Sequence, residues 1–535
     1  MNKKRCNFFG FYLLGNAYLG GKAWVSSCLK QIPKISVICL LTLLSVSAMA
    51  QDATGAHTGN IKNLGIDTVA TTSDTTLNKV ISAVNTIGNA DGHNMIATNI
   101  MWTLIAGFLV MFMQAGFAMV ETGFTQKKNV AHTMAMNFLV YGLGMFGFWV
   151  CGFAFMFGGG LNASTLGGAP GVIPHEYIVH MFGHDFGIIG SVGFFLNSKV
   201  YDVGVFTLFL FQMVFMDTTA TIPTGSMAER WSMKSFIIYG LFISMFVYPI
   251  FGNWVWGGGW LSQLGINFKL GHGDVDFAGS SVVHMVGGVA ALAGAICIGP
   301  RIGKYGKDGT VNTIPGHNIP MAIIGTFILA FGWFGFNPGS TLAGQDFRIG
   351  IVAVNTMMAG TAGTLAALLY MYAKGQKPDP GMLCNGLLAG LVAITAPCAF
   401  VNSISAVIIG AIAGLLVIFA YNFVDRKLKI DDPVGAFAVH GVNGAWGVIS
   451  LGLFADGSYG DGWNGVSGTV KGLFYGDAGQ LWAQLIGVIV CFVFVFVVMY
   501  AWFKLSNKIF PLRVKAEDEI AGLDIPEMGV HGYVD

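Results

Sequence analysis

The chain has 535 residues, of which 54% are hydrophobic and only 10% charged, and a net charge of +1. A soluble domain carries about 25% charged residues, so these figures exclude a water-soluble globule of this size and an intrinsically disordered chain; the mean hydropathy of +0.65 points to a polytopic membrane protein. A near-neutral balance gives nucleic acid nothing to bind, and 76 glycines without a Gly-X-Y period exclude collagen.

The N-terminus is basic through Lys3, Lys4, Arg5, Lys22, Lys30 and Lys34. An apolar run from Ile35 to Met49 follows, with Ala48, Met49 and Ala50 before Gln51. A basic region, a short apolar run and a small-residue site predict a cleaved signal peptide over 1–50, with the mature N-terminus outside the cytoplasm. Residues 51–98 are then an extracytoplasmic N-terminal segment. The eight cysteines stand singly, three of them before residue 50, with no CxxC pair and no disulfide framework.

From residue 99, apolar stretches recur at the roughly 20-residue length that crosses a bilayer. They lie near 99–120, 132–157, 203–227, 235–256, 277–299, 317–337, 349–372, 381–399, 403–424, 434–455 and 480–503. With no water to satisfy the backbone they must be helices, so 99–503 is expected to be an all-α membrane domain of eleven spans. One span carries an acid, Asp217. The connections sort by charge: sixteen of the 28 Lys and Arg fall in alternate short segments and the tail, six in the longer segments between them, and six in the leader. The rule that positive charge stays inside then places residues 504–535 in the cytoplasm as a tail. The long outside segment 158–202 holds His175, His180 and His184, read as loop histidines rather than a metal site; the sequence around His175 and His180 is not the HExxH of zinc proteases.

Ionisable residues inside spans are costly, so each is a functional candidate. His284 lies eight residues after Asp276, and His440 eight residues after Asp432. At about 1.5 Å per residue, both histidines approach the bilayer midplane, one from each side. Matching half-motifs in opposite orientation predict an inverted repeat of spans 1–5 and 6–10, with the site where the repeats meet. Two unrelated core histidines are the plain alternative. A bis-histidine haem is the sharper one, but Val283, Gly287, Gly288, Gly441 and Gly444 predict little room for it. Asp276 is read as a helix N-cap that also favours a cation at the mouth of a pathway. Phe211 and Phe215 cluster in the third span, Trp333, Phe336 and Ser340 at the outer end of the sixth, and Trp256, Phe215 and Ser340 are expected in the outer half; aromatic faces attract a cation by about 2 kcal/mol or more when desolvated, with an interfacial belt or plain packing as the alternative.

These residues resemble the ammonium transporters of the Amt/Mep/Rh family. The matching elements come in family order from about residue 99 to the end. They are Phe211-Gln-Met-Val-Phe215 with Gly225 to Arg230, Trp256 with its three glycines, Asp276-Phe-Ala-Gly with His284, Gly332 to Ser340, Asp432-Pro with His440-Gly, and Leu512-Arg-Val to Gly522-Leu-Asp. The resemblance implies a homotrimer in the cell inner membrane with a pore through each subunit. It implies ammonium recruitment by Trp256, Phe215, Ser340 and Asp276, a gate of Phe215 and Phe336, and conduction past His284 and His440. Ammonium then loses its proton near the gate, and ammonia and the proton cross separately. No enzymatic activity and no cofactor are implied; the partners are ammonium or ammonia, membrane lipid and a PII-type regulator at the tail. Departures are Asp217, expected as a hydrogen-bonded acid facing a neighbouring helix or alternatively as a residue that tunes proton movement, the long segments 158–202 and 257–276, and Glu527-Met528-Gly529 where relatives often carry Glu-His-Gly. A non-conducting ammonium sensor of the same fold is the alternative function, and the short tail after the last span speaks for transport.

Overall fold

The computed structural model describes residues 75–158, 164–166, 176–197, 200 and 203–533. The expected leader over 1–50 and residues 51–74 lie outside these, as does His175. Among the described residues ten helices are long and apolar enough to cross a membrane, and an eleventh, shorter apolar helix stands between two of them. They are α1 (Thr75–Phe124), α2 (Lys127–Phe157), α3 (Val203–Ser226), α4 (Met233–Trp256), α5 (Ser280–Ile298), α6 (Ile319–Thr341), α7 (Arg348–Ala373), α8 (Pro380–Ile394), α9 (Ser403–Lys427), α10 (Phe437–Phe454) and α11 (Ala478–Ser506). The all-α membrane domain of eleven spans is the observed fold.

Three local expectations need correction. The first helix starts at Thr75, so 75–98 continues it rather than forming a separate segment. The eighth span does not run to 399: α8 ends at Ile394 and residues 395–400 are turns. Pro397 cannot continue the helical ladder, and the freed backbone has other partners. Ala396 N–H donates to Ser280 Oγ at 2.7 Å, and the carbonyls of Thr395 and Ala396 accept from Ala278 and Phe277. The fifth span opens at Ser280 rather than 277, because Asp276 and Gly279 (φ 113°) turn the chain into it.

The long segment before α3 contributes an antiparallel hairpin, β1 (Glu176–Met181) and β2 (His184–Gly190). Its two-residue turn, Phe182-Gly183, has positive φ at both positions, the twist that suits a tight hairpin. Ile178, Val179, Ile188 and Ile189 supply the β-branched content. The hairpin docks on the end of α4, where Trp254 Nε1 donates to the Ile188 carbonyl at 2.9 Å and Trp260 N–H to that of Gly187 at 3.0 Å. His180 pairs with Asp185 and His184 packs on Phe268, so neither is turned toward a shared centre. This end of the bundle is the hairpin face.

The opposite end is the tail face. Ser232 and Val514 donate to the carbonyls of Leu512 and Arg230, and two short helices, α12 (Ala516–Ala521) and α13 (Asp524–Met528), pack across the helix connections. Glu527 Oε2 accepts from Met233 N–H at 2.8 Å and so caps the start of α4. Beneath the tail lies a charge network that sequence reasoning missed. Arg301 bridges Asp431 (2.8 Å) and Glu229 (2.9 Å), while Arg230 donates to the Asp431 carbonyl. Glu519 joins it through Arg513 and the Ile302 N–H. Burial pushes the Asp431 and Glu229 carboxyls up, but the guanidiniums beside them outweigh it and hold both below the usual carboxylate range. These residues lie far apart in sequence, in segments that looked like ordinary basic loops.

Candidate functional site

Asp276 opens α5. Its Oδ1 accepts from Gly279 and Ser280 N–H at 2.8 and 2.9 Å; its Oδ2 accepts from Ser281 and Val282 N–H at 2.7 and 3.1 Å and from Ser281 Oγ at 2.7 Å. The carboxylate is thus consumed in satisfying the free N–H groups of the helix start. Its carbonyl accepts Trp256 Nε1 at 2.6 Å, which fixes the indole at the end of α4. Asp432 opens α10 in the same manner but more sparsely, accepting from Gly435 and Phe437 N–H at 3.1 and 2.8 Å.

Both helices open with a π-helical turn, Ser280–Met285 and Phe437–Val442, and each turn carries its histidine. The wider turn is common at functional sites. No motif in the sequence announces it. The helices meet at glycine: a Cβ on Gly288 would lie 2.1 Å from the Gly441 nitrogen. Only glycine permits this approach, and it brings His284 Nδ1 to 3.2 Å from His440 Nδ1. One ring must donate and the other accept. A neutral pair therefore has one Nε2 bare and the other protonated; a proton arriving at the bare Nε2, transfer of the shared proton and loss of the proton from the other Nε2 together exchange the two.

The aromatic residues form a column with these rings. Phe215 stacks on Phe336 with centroids 4.1 Å apart and planes 23° apart. Phe336 lies 5.3 Å from His284, and His284 lies 5.2 Å from His440. Trp333 flanks His284 at 5.2 Å and is held by its own Nε1 donating to Thr395 Oγ1. Phe215 and Phe336 are buried to 1% and 0% exposure, so the passage is closed at this pair.

On the hairpin side of the pair lies an open cavity of about 780 Å³, lined by Phe215, Trp256, Asp276, Ser340, Tyr459 and Trp463 among others. Ser340 Oγ donates to the Phe336 carbonyl at 2.8 Å, which leaves its lone pairs for a ligand. All seven residues singled out from the sequence therefore meet in one region, from this cavity to the histidines. Asp217 departs from expectation. It is buried, yet its Oδ1 has no hydrogen-bond partner. Among the described residues no group of three or more His, Cys, Asp or Glu could hold a metal ion.

A multi-pass helical protein with an open cavity on the hairpin side, an aromatic constriction and a buried histidine pair is built as a membrane pore. The family model for the Ammonium Transporter Family matches residues 101–533. The chain is 46% identical over 440 residues to the ammonium transporter Amt2 of Archaeoglobus fulgidus, covering 82% of this chain and 88% of that protein. It is 37% identical over 456 residues to the ammonium transporter Amt1 of Haloferax mediterranei, covering 82% of this chain and 80% of the other. Among solved structures it resembles a sensor Amt protein (TM-score 0.71, 39% identity, 82% of this chain and all of that one). Candida albicans Mep2 is also similar (TM-score 0.65, 26% identity, 79% of this chain and 87% of the other). The chain belongs to the ammonium transporter family.

Proposed function

We propose that the protein conducts ammonium by separating it into ammonia and a proton. Ammonium is recruited in the 780 Å³ cavity by the Trp256 indole, the Phe215 ring and the Ser340 hydroxyl. Asp276 acts through the helix start it holds and through the indole it anchors. A bare cation would be stripped of water at the closed Phe215–Phe336 pair at high cost, whereas neutral ammonia loses little. Ammonia passes along the apolar column, and His284 and His440 carry the proton by exchanging their shared Nδ1 bond. Potassium has no proton to leave behind and is refused.

The observation that carries this reading is the histidine pair at 3.2 Å in line with the stacked phenyl rings and next to the cavity. In its setting the chain is a homotrimer of the cell inner membrane, with 1–50 removed as a leader. The hairpin face looks outward, and the tail meets a PII-type regulator in the cytoplasm. The positive-charge asymmetry of the connections supports this orientation.

The likeness to a sensor Amt protein favours a second reading, in which the same site binds ammonium without passing it. Currents from proteoliposomes on a solid-supported membrane separate the two. Conduction gives an ammonium current, absent with potassium, whose decay shortens as protein density rises. Binding alone gives a small transient whose decay ignores protein density.

A further inference from the structure

His440 ends the stacked column, and the space beyond it toward the tail face narrows to a small void. A small cavity of about 20 Å³ lies there, lined by Phe117, Asn385, Val434, His440 and one acid, Glu121. That is room for about one water. Phe117 and Glu121 are four residues apart on α1 and so share a face, about 6 Å apart along the axis. The Phe117 ring lies 6.1 Å from that of His440. The face of α1 that meets the histidine therefore carries a carboxyl one turn nearer the tail face. Glu121 stands three residues before α1 ends at Phe124.

The acid is 2% exposed, and its partners are neutral. Its Oε2 accepts from Asn137 Nδ2 at 2.7 Å and Thr224 Oγ1 at 2.6 Å, which ties α1 to α2 and α3. Asn137 in turn is bonded to Gln114 and Thr221, so the side chain is held in one place. Joining three helices needs only an acceptor, which an amide would supply. An ionisable group at this depth is expensive, and what it adds over an amide is the ability to take up and release a proton.

We propose that Glu121 is the proton acceptor on the tail side of the histidine pair. This rests on the conduction reading above and deepens it. With His440 Nδ1 engaged by His284, Nε2 is the nitrogen left to face onward. The Nε2–H bond breaks as its proton passes to a water in the cavity, and an O–H of that water breaks as its proton joins the Glu121 carboxylate. Nothing is oxidised or reduced. The proton shared with His284 moves onto His440 Nδ1 in the same step, as an incoming proton joins His284 Nε2, so both rings stay neutral, and Glu121 releases its own proton to water on the tail side.

The test is ammonium current from proteoliposomes, normalised to folded protein, for the wild type, Glu121→Gln, Glu121→Asp and Thr224→Ala. Gln keeps an oxygen for Asn137 and Thr224 and has no proton to exchange. It is expected to lose about a hundredfold in current, the scale of a lost proton-transfer group, while its melting temperature stays near that of the wild type. Should the Gln chain not fold, the other two decide. Asp draws the carboxyl back from the cavity and is expected to lose current. Thr224→Ala leaves the carboxyl at full length and is expected to stay near wild type, and the reverse order overturns the assignment. A wild type without sustained current removes the conduction reading itself. A conducting wild type matched by a conducting Gln variant overturns the role of Glu121 alone.

Discussion

The two halves of the pore begin with the same device built to different standards. On the hairpin side the Asp276 carboxylate takes five donors, and its carbonyl takes the Trp256 indole. On the tail side Asp432 takes two. The first turn borders a cavity of about 780 Å³, the second a cavity of about 20 Å³. Both acids are buried, Asp276 at 1% exposure and Asp432 at 8%, so the difference lies in how many helix-start donors each one satisfies. The tail-side turn is instead backed from below by Asp431, its neighbour in sequence, locked between Arg301 and Arg230.

Asp276→Ala is the strongest way to break this comparison. Each buried donor left unpaired costs about 1–3 kcal/mol, so losing an acceptor shared by five donors should unseat both the α5 opening and Trp256. Ammonium current is expected to vanish. Asp432→Ala frees only two donors and should retain measurable current. Equal currents from the two variants would show that the count of donors does not set the requirement.

The ion network comes next. Removing one partner of a buried pair costs about 3–5 kcal/mol, so Asp431→Ala should lower the thermal midpoint of the detergent-purified protein markedly. Since Asp431 and Glu229 both titrate below the usual carboxylate range, the stabilisation is complete at neutral pH and is lost as pH falls through those lowered values. An acid scan of the wild type should therefore steepen below the ordinary carboxylate range, and Asp431→Ala should flatten it. An unchanged scan in the variant would remove the network from the account of acid stability.

The histidines test whether the halves are equivalent where they meet. His284→Asp and His440→Asp each replace a ring that can donate or accept with a fixed anion in the column. Either should admit potassium, with the potassium-to-ammonium current ratio rising about tenfold, which corresponds to about 1.4 kcal/mol. A larger effect at His284 would follow from its closer place to the phenyl pair, 5.3 Å from Phe336. Silence in both would leave the pair with a structural role.

How much of this was legible in the sequence follows from the range of the interactions. The Asp276–His284 and Asp432–His440 spacings are local, and so were the aromatic runs around Phe215 and Phe336; these placed the site. The π-helical openings were not legible, since residues 280–285 and 437–442 read as ordinary apolar helix. The hairpin is not legible either, because Phe182-Gly183 is not a strong turn signal and its strands are short. By sequence Glu121 falls just after the first apolar stretch, 99–120, where an acid needs no explanation. Only the extension of α1 to Phe124 puts it inside. The Arg301–Asp431–Glu229 network spans three connections, and no local pattern encodes a contact of that range.

Ser340→Ala should give the smallest effect on maximal current and sharpens what the open side of the comparison does. The hydroxyl already donates to the Phe336 carbonyl, so its oxygen faces the cavity as an acceptor. A hydrogen bond from a charged ion contributes about 1.5 kcal/mol at the low end that a water-open cavity favours, or roughly tenfold in affinity. Because the contact is made in the vestibule and released before the phenyl pair, its loss should raise the half-saturating ammonium concentration and leave the maximal current nearly unchanged. Had Ser340 instead mattered to passage, the maximal current would fall at constant half-saturation, since removing the bond to the Phe336 carbonyl would then disturb the ring that stacks on Phe215.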